Sequence, residues 1–169
     1  MVDFQVIIRP LAFYHMNFKH TKGRITMLKN IPKILSPELL KTLMEMGHGD
    51  EIVIADGNFP AETIGQRVIR CDGHGVCELL DAIMKLFPLD TYTEKPVMLM
   101  EVVKGDPVVP TIWDKYKDII NTYEPENCKI EMIERFAFYE RAKTAYAVVA
   151  TGEEEIYANI ILKKGVVTG

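Results

Sequence analysis

The sequence is poor in the residues on which several common chemistries depend. It has three cysteines, Cys71, Cys77 and Cys128. An odd count in a chain that is 48% hydrophobic does not make a disulfide framework, because the core needs no covalent staples. Cys71 and Cys77, with His74 between them, lack a second ligand pair, so no metal site is expected. Buried free thiols in a reducing cytoplasm are the plain reading. Ser36 is the only serine, and no G-x-S-x-G elbow exists to carry a nucleophilic triad. Gly47, Gly49, Gly57, Gly73 and Gly75 form neither a dinucleotide fingerprint nor a phosphate-cradling loop, so no cofactor is expected. No apolar run approaches the roughly 20 residues that cross a bilayer. The run from Val6 to Tyr14 is interrupted by Arg9 and Pro10, and no small-residue cleavage site follows it. Positive charge is lacking too. The net charge of -4 argues against a nucleic-acid partner.

What is present suits one domain in 169 residues. Met1 to Thr26 shows no clear period, and order begins at Met27. The expectation is therefore an appended or upstream extension over residues 1–26, with a single domain over 27–169. The alternative is an arm that packs on a neighbour. Ser36 is a good N-cap, and Pro37 sits where its missing N–H costs nothing. Leu39, Leu40, Leu43, Met44 and Met46 recur at helical spacing, and Gly47 reads as the C-terminal stop. Short apolar strands are expected at 52–55, 68–70, 97–103, 129–133, 146–151 and 159–162. Further helices are expected at 76–87, 112–123 and 136–143. This alternation predicts an α/β layered fold, with a largely parallel central sheet flanked by helices.

Two polar residues stand out between the first helix and the second turn. His48 follows the expected helix stop, where exposed carbonyls favour imidazolium. Asp56 ends an apolar strand, where open α/β sheets place ligands. Each also has an ordinary explanation: a loop histidine, and a turn aspartate bonding Asn58 or Phe59. Further on, Arg135 precedes the aromatic run Phe136-Ala137-Phe138-Tyr139. Phe136 and Phe138 read as core, Tyr139 as a hydroxyl for a pocket or for solvent. Glu140 and Arg141 read as a solvated or interface pair. Tyr157 and Asn159 share a face at the start of the last strand, with Ala158 opposite. A phenol and an amide so placed suit sugar hydroxyls, or an edge-strand surface.

Three blocks then carry a family resemblance. They are Met46-Gly47-His48-Gly49-Asp50-Glu51-Ile52 with Asp56 and Phe59-Pro60-Ala61, then Arg135-Phe136-Ala137-Phe138-Tyr139-Glu140-Arg141-Ala142, then Tyr157-Ala158-Asn159-Ile160 with Leu162-Lys163-Lys164-Gly165-Val166. Together they resemble the fucose mutarotase and D-ribose pyranase family from Met27 to about Val166, and the arginine-led block points to its fucose branch. The resemblance implies a cofactor-free isomerase, with a ribose pyranase-like fold, that interconverts the α and β anomers of L-fucose. A ribose pyranase, a mutarotase of another sugar and a non-catalytic monosaccharide-binding module are the alternatives. The resemblance carries the proton donor onto His48. It carries sugar binding onto Asp56, Arg135 and Tyr157-Ala158-Asn159, with Tyr139 beside them. It also implies a homo-oligomeric, often decameric ring with sites near subunit contacts. One departure is Asn58, where relatives carry histidine.

Spacing adds a condition. If the eight residues from His48 to Asp56 were extended, the two would lie roughly 25 Å apart. Either Gly49 turns the chain back, or two subunits build each site; the second is the expectation.

Overall fold

The computed structural model describes residues 28–167. The expected extension over residues 1–26 and the expected start at Met27 lie outside the described residues.

Six strands form one mixed sheet in the order β2-β5-β1-β6-β3-β4. They are β1 (Glu51–Ala55), β2 (Val68–Cys71), β3 (Val97–Met100), β4 (Ile130–Ile133), β5 (Ala147–Thr151) and β6 (Ile160–Lys163). Pairings β1·β5, β2·β5 and β3·β4 are parallel, whereas β6 runs antiparallel to both β1 and β3. Five strands therefore share one direction, as the alternation predicts, and β6 alone returns between them. The central strands read as continuous apolar runs because helices cover both faces. Alternate side chains divide between those faces. Ile52, Ile54, Val97 and Leu99 meet helices α1 (Pro37–Glu45), α3 (Val76–Met84) and α4 (Ile112–Tyr123). Val53, Ala55, Met98 and Met100 meet the side of α2 (Ala61–Ile64) and α5 (Arg135–Thr144). Phe138 is fully buried in that second core, and its truncation to alanine would cost about 3–5 kcal/mol.

Local chemistry explains the element ends, including where they depart from expectation. Ser36 caps α1, its Oγ accepting from the Leu39 N–H at 3.1 Å. Gly47 does not stop α1 in a left-handed turn. Met46 is already extended, and the positive φ of 87° falls at Gly49. Met44 points away from the core, 79% exposed. The strand expected over 97–103 leaves the sheet after Met100, with one more bond from Glu101 N–H to Ile133 O at 2.8 Å. A connection containing Gly105 at φ 93° follows. Helix α3 ends at Met84, although Phe87 remains buried beyond it. Phe136, expected in the core, is 62% exposed. The last strand starts at Ile160 rather than Asn159.

Candidate active site

The carboxyl end of β1 opens into a cavity of about 240 Å³. It is lined by Asp56, Arg135, Tyr139, Tyr157 and Asn159, with Asp106 beside them and Phe59, Met100 and Ile156 as apolar walls. The volume lies just under the ~300 Å³ lower end for small-molecule pockets, so the cavity suits a small ligand.

Asp56 is fixed by a reciprocal clamp. Its backbone N–H donates to Asn159 Oδ1 at 3.0 Å, and Asn159 Nδ2 donates back to Asp56 Oδ2 at 2.7 Å. The other carboxylate oxygen accepts from the Asn58 N–H at 3.0 Å, the turn geometry expected of this residue. Burial pushes the Asp56 carboxyl up, and these neutral donors only partly oppose it. Asp56 therefore keeps its proton to higher pH than a free carboxyl.

The other walls depend on α4 and α5. Trp113 Nε1 donates to Tyr157 O at 2.8 Å, and the buried Tyr116 hydroxyl donates to Ala158 O at 2.8 Å. These bonds hold Tyr157 at φ 60°, a conformation that costs a non-glycine residue of order 1–3 kcal/mol. The Tyr157 hydroxyl donates to Asp106 Oδ2 at 2.7 Å, which raises its pKa. Ala158 itself faces the opposite core. At the start of α5, Glu134 accepts from the Phe136 and Ala137 N–H groups at 2.8 and 3.1 Å. Arg135 follows that cap, with its guanidinium 4.7 Å from the Phe136 ring centroid. Its Nε is buried with no hydrogen-bond partner among the described residues. An orphaned cationic donor at a cavity wall is ready for an oxygen ligand. Tyr139 lies one turn further on, its ring 5.6 Å from Phe59.

His48 is elsewhere. Within one chain it lies before the amino end of β1, while Asp56 follows the carboxyl end. The four steps of β1 alone separate these ends by about 13 Å. Gly49 does make a turn, with Asp50 N–H bonding Gly47 O at 3.2 Å, but that turn launches β1 away from His48. The expected dipole contact is also corrected. Lys164 Nζ reaches both Leu43 O and Met46 O, so lysine caps the end of α1. His48 Nε2 lies 3.1 Å from Asp90 Oδ1, and its ring stacks at a tilt 5.3 Å from Tyr92. Glu140 and Arg141 do not pair with each other. Arg141 forks onto Glu51 at 2.9 and 2.6 Å, and Glu140 meets Lys143 at 2.6 Å.

Sequence reasoning missed Asp106, Trp113, Tyr116 and Asp90. The two aromatics had a usable signal. They share the inward face of α4 with Ile112 and Ile120, and buried Trp and Tyr need partners for their polar ends. Asp106 and Asp90 sit in loops with no periodicity to mark them. Among the described residues no group of three potential metal ligands assembles, and all three cysteines are unbonded. No described helix is long and apolar enough to cross a membrane.

Comparison with known proteins supplies the rest. The RbsD / FucU transport protein family model matches residues 29–167. The L-fucose mutarotase of Actinobacillus pleuropneumoniae is 54% identical over 140 residues, spanning 83% of this chain and 97% of that protein. The fucose mutarotase of Homo sapiens is 52% identical over 147 residues, spanning 82% and 94%. Among solved structures, the fucose mutarotase of Streptococcus pneumoniae in complex with L-fucose is 55% identical. It aligns with a TM-score of 0.80 over 83% of this chain and 100% of that one. The matched region takes in every strand and helix around the cavity, and this chain belongs to the RbsD / FucU family.

Proposed function

We propose that this chain is an isomerase that interconverts the α and β anomers of L-fucose. One observation carries the reading. A cavity that gathers Asp56, Arg135, Tyr139, Tyr157 and Asn159 occurs in a chain 55% identical to a fucose mutarotase solved with L-fucose. Mutarotation opens the pyranose ring and recloses it on either face of the aldehyde. Opening needs a proton on the ring oxygen and loss of one from the anomeric hydroxyl. Each assisted transfer is worth roughly 10²–10⁴-fold. No step of this chemistry demands a metal, a cofactor or a covalent nucleophile.

In this reading Asp56 orients sugar hydroxyls and exchanges a proton. Arg135 turns its unpartnered donor to an oxygen that gains negative charge. Tyr157 and Asn159 hold the ring, with the Ala158 main chain between them, and Tyr139 adds a hydroxyl. Phe59, Met100 and Ile156 offer an apolar wall to the methyl group of fucose, a group that ribose lacks. The remaining proton carrier is His48, supplied by a neighbouring copy of the chain. The separation of His48 from Asp56 along β1 supports that arrangement, as does the 47% exposure of its side chain. A contact joining two different patches repeats head to tail and forms a ring where its rotation closes, here expected to hold ten copies. Around the cavity Phe136 and Ile156 are exposed, and near His48 so is Tyr92, as such a contact requires. The unbonded cysteines support a reducing, cytoplasmic setting, with residues 27–169 acting as one domain.

The test is anomer exchange measured by saturation-transfer NMR on L-fucose and D-ribose side by side. Fucose exchange should be accelerated, and more strongly than ribose exchange. Faster ribose exchange would assign the chain to the pyranase branch. Tight fucose binding without acceleration would make it a sugar-binding module.

A further inference from the structure

Asp90 is a buried carboxylate that the proposed chemistry leaves without a role. It is 2% exposed, yet it faces a histidine whose side chain is 47% exposed. Part of its environment is an ordinary turn. Oδ1 accepts from the Tyr92 N–H at 2.9 Å and Oδ2 from the Thr93 hydroxyl at 2.7 Å. Its main chain is anchored separately. The Asp90 N–H donates to Lys163 O at 3.0 Å, and Asn127 Nδ2 donates to Asp90 O at 3.1 Å. His48 is the addition that a turn does not need. It arrives from a segment 42 residues away and bonds the same Oδ1. Lys163 Nζ lies 3.6 Å from Oδ2, so a cation supports the anion from β6.

Burial alone would raise the Asp90 carboxyl. Hydrogen bonds from Thr93, the Tyr92 N–H and His48 overcome it and hold the group at about 2. An ionised carboxylate only accepts. Nε2 of His48 must then carry the hydrogen, which leaves the lone pair on Nδ1, the nitrogen not taken by Asp90. This selects one tautomer and restrains the ring.

We infer that Asp90 is the positioning residue of His48, fixing its tautomer and ring so that Nδ1 exchanges protons with the sugar. This rests on the reading of His48 as the proton carrier of anomer exchange. A proton that Nδ1 accepts in one transfer is returned in the next, so the side chain ends each cycle as it began.

The test compares Asp90→Asn with His48→Ala and Asn127→Ala in the full-length protein. Asn127→Ala loosens the same turn through the Asp90 carbonyl and leaves the carboxylate untouched. Two readouts are taken: kcat and KM for L-fucose exchange, and the imidazole ¹⁵N shifts of His48, which report the tautomer. Asp90→Asn should lower kcat by about tenfold to hundredfold and leave KM within about twofold. It should also lose the single Nε2–H pattern, whereas Asn127→Ala keeps both that pattern and a kcat within about twofold of the parent. If His48→Ala is impaired while Asp90→Asn keeps the parental kcat and shifts, the positioning role is overturned and the function stands. Equal losses in Asp90→Asn and Asn127→Ala make Asp90 a turn residue, which also overturns it. If His48→Ala exchanges fucose at the parental rate, the reading of His48 falls and takes this inference with it.

Discussion

Strand β6 carries a partner for a buried aspartate at each of its ends, and the two aspartates are held in opposite states. Asn159, just before the strand, clamps Asp56; Lys163, at its close, faces Asp90. Surface exposure is alike, at 5% and 2%, but Asp56 lies much deeper among protein atoms and loses more of its solvation. Their donors differ as well. Asp56 receives an amide and a backbone N–H, all neutral, and burial wins, raising its pKa. Asp90 receives a hydroxyl, a backbone N–H and an imidazole with a lysine nearby, and the donors win, holding it at about 2. Depth among protein atoms and the charge and number of donors together set the proton affinity of each carboxyl. On the proposed reading the raised Asp56 carboxyl is the one that exchanges a proton, whereas Asp90 stays an anion at neutral pH.

The sharpest way to break this contrast is Asp56→Asn. It should slow fucose exchange by about 10²–10³-fold, because the exchangeable carboxyl is lost. Its effect on stability at neutral pH should stay within about 1 kcal/mol, because one lost hydrogen bond is offset by removal of a desolvated charge. A large drop in thermal midpoint with exchange preserved would reverse the roles given to the two aspartates. Next in size is Lys164→Met, on the His48 side. The ammonium that caps the α1 carbonyls is lost, and urea denaturation should show a loss of about 1–2 kcal/mol, with fucose KM unchanged. A third way is through pH dependence. The pKa of Asp90 is depressed in the folded state, so its contribution to stability is full above about pH 4 and is lost as pH falls toward 2. Asp56 has the opposite sign: its contribution is present below about pH 4 and declines as pH rises through its raised folded value. Chemical denaturation between pH 2 and 5 should therefore be less steeply acid-sensitive in Asp90→Asn than in the parent.

Much of the fold was legible because the chain is locally consistent. Ser36-Pro37 announces α1, apolar runs of four or five residues announce the central strands, and their alternation with helices announces the layers. The direction of β6 was not legible, since an apolar strand reads the same in either orientation. Phe136 and Met44 misled because hydrophobic type alone does not say which apolar side chains stay on the surface. In the cavity, Asp56, Arg135, Tyr157 and Asn159 came from three sequence blocks, and the structure brings them together. Asp106 and Asp90 lie in loops whose partners are 51 and 42 residues away, and no local pattern encodes such pairings. The spacing of His48 and Asp56 was informative in its own right. Only β1 is extended between them, and a turn at Gly49 precedes it, so roughly 25 Å overstates the span, although the two residues still flank opposite ends of the strand.

That separation leads to the most direct measurement: co-expression of His48→Ala and Asp56→Asn chains, each inactive alone, with fucose exchange measured on the mixed assembly. If neighbouring copies supply His48 and Asp56 to one sugar, random mixing leaves about a quarter of the sites with both residues intact, and exchange returns to roughly that fraction of the parent. Mixed assemblies as inactive as either variant alone would contradict the shared site.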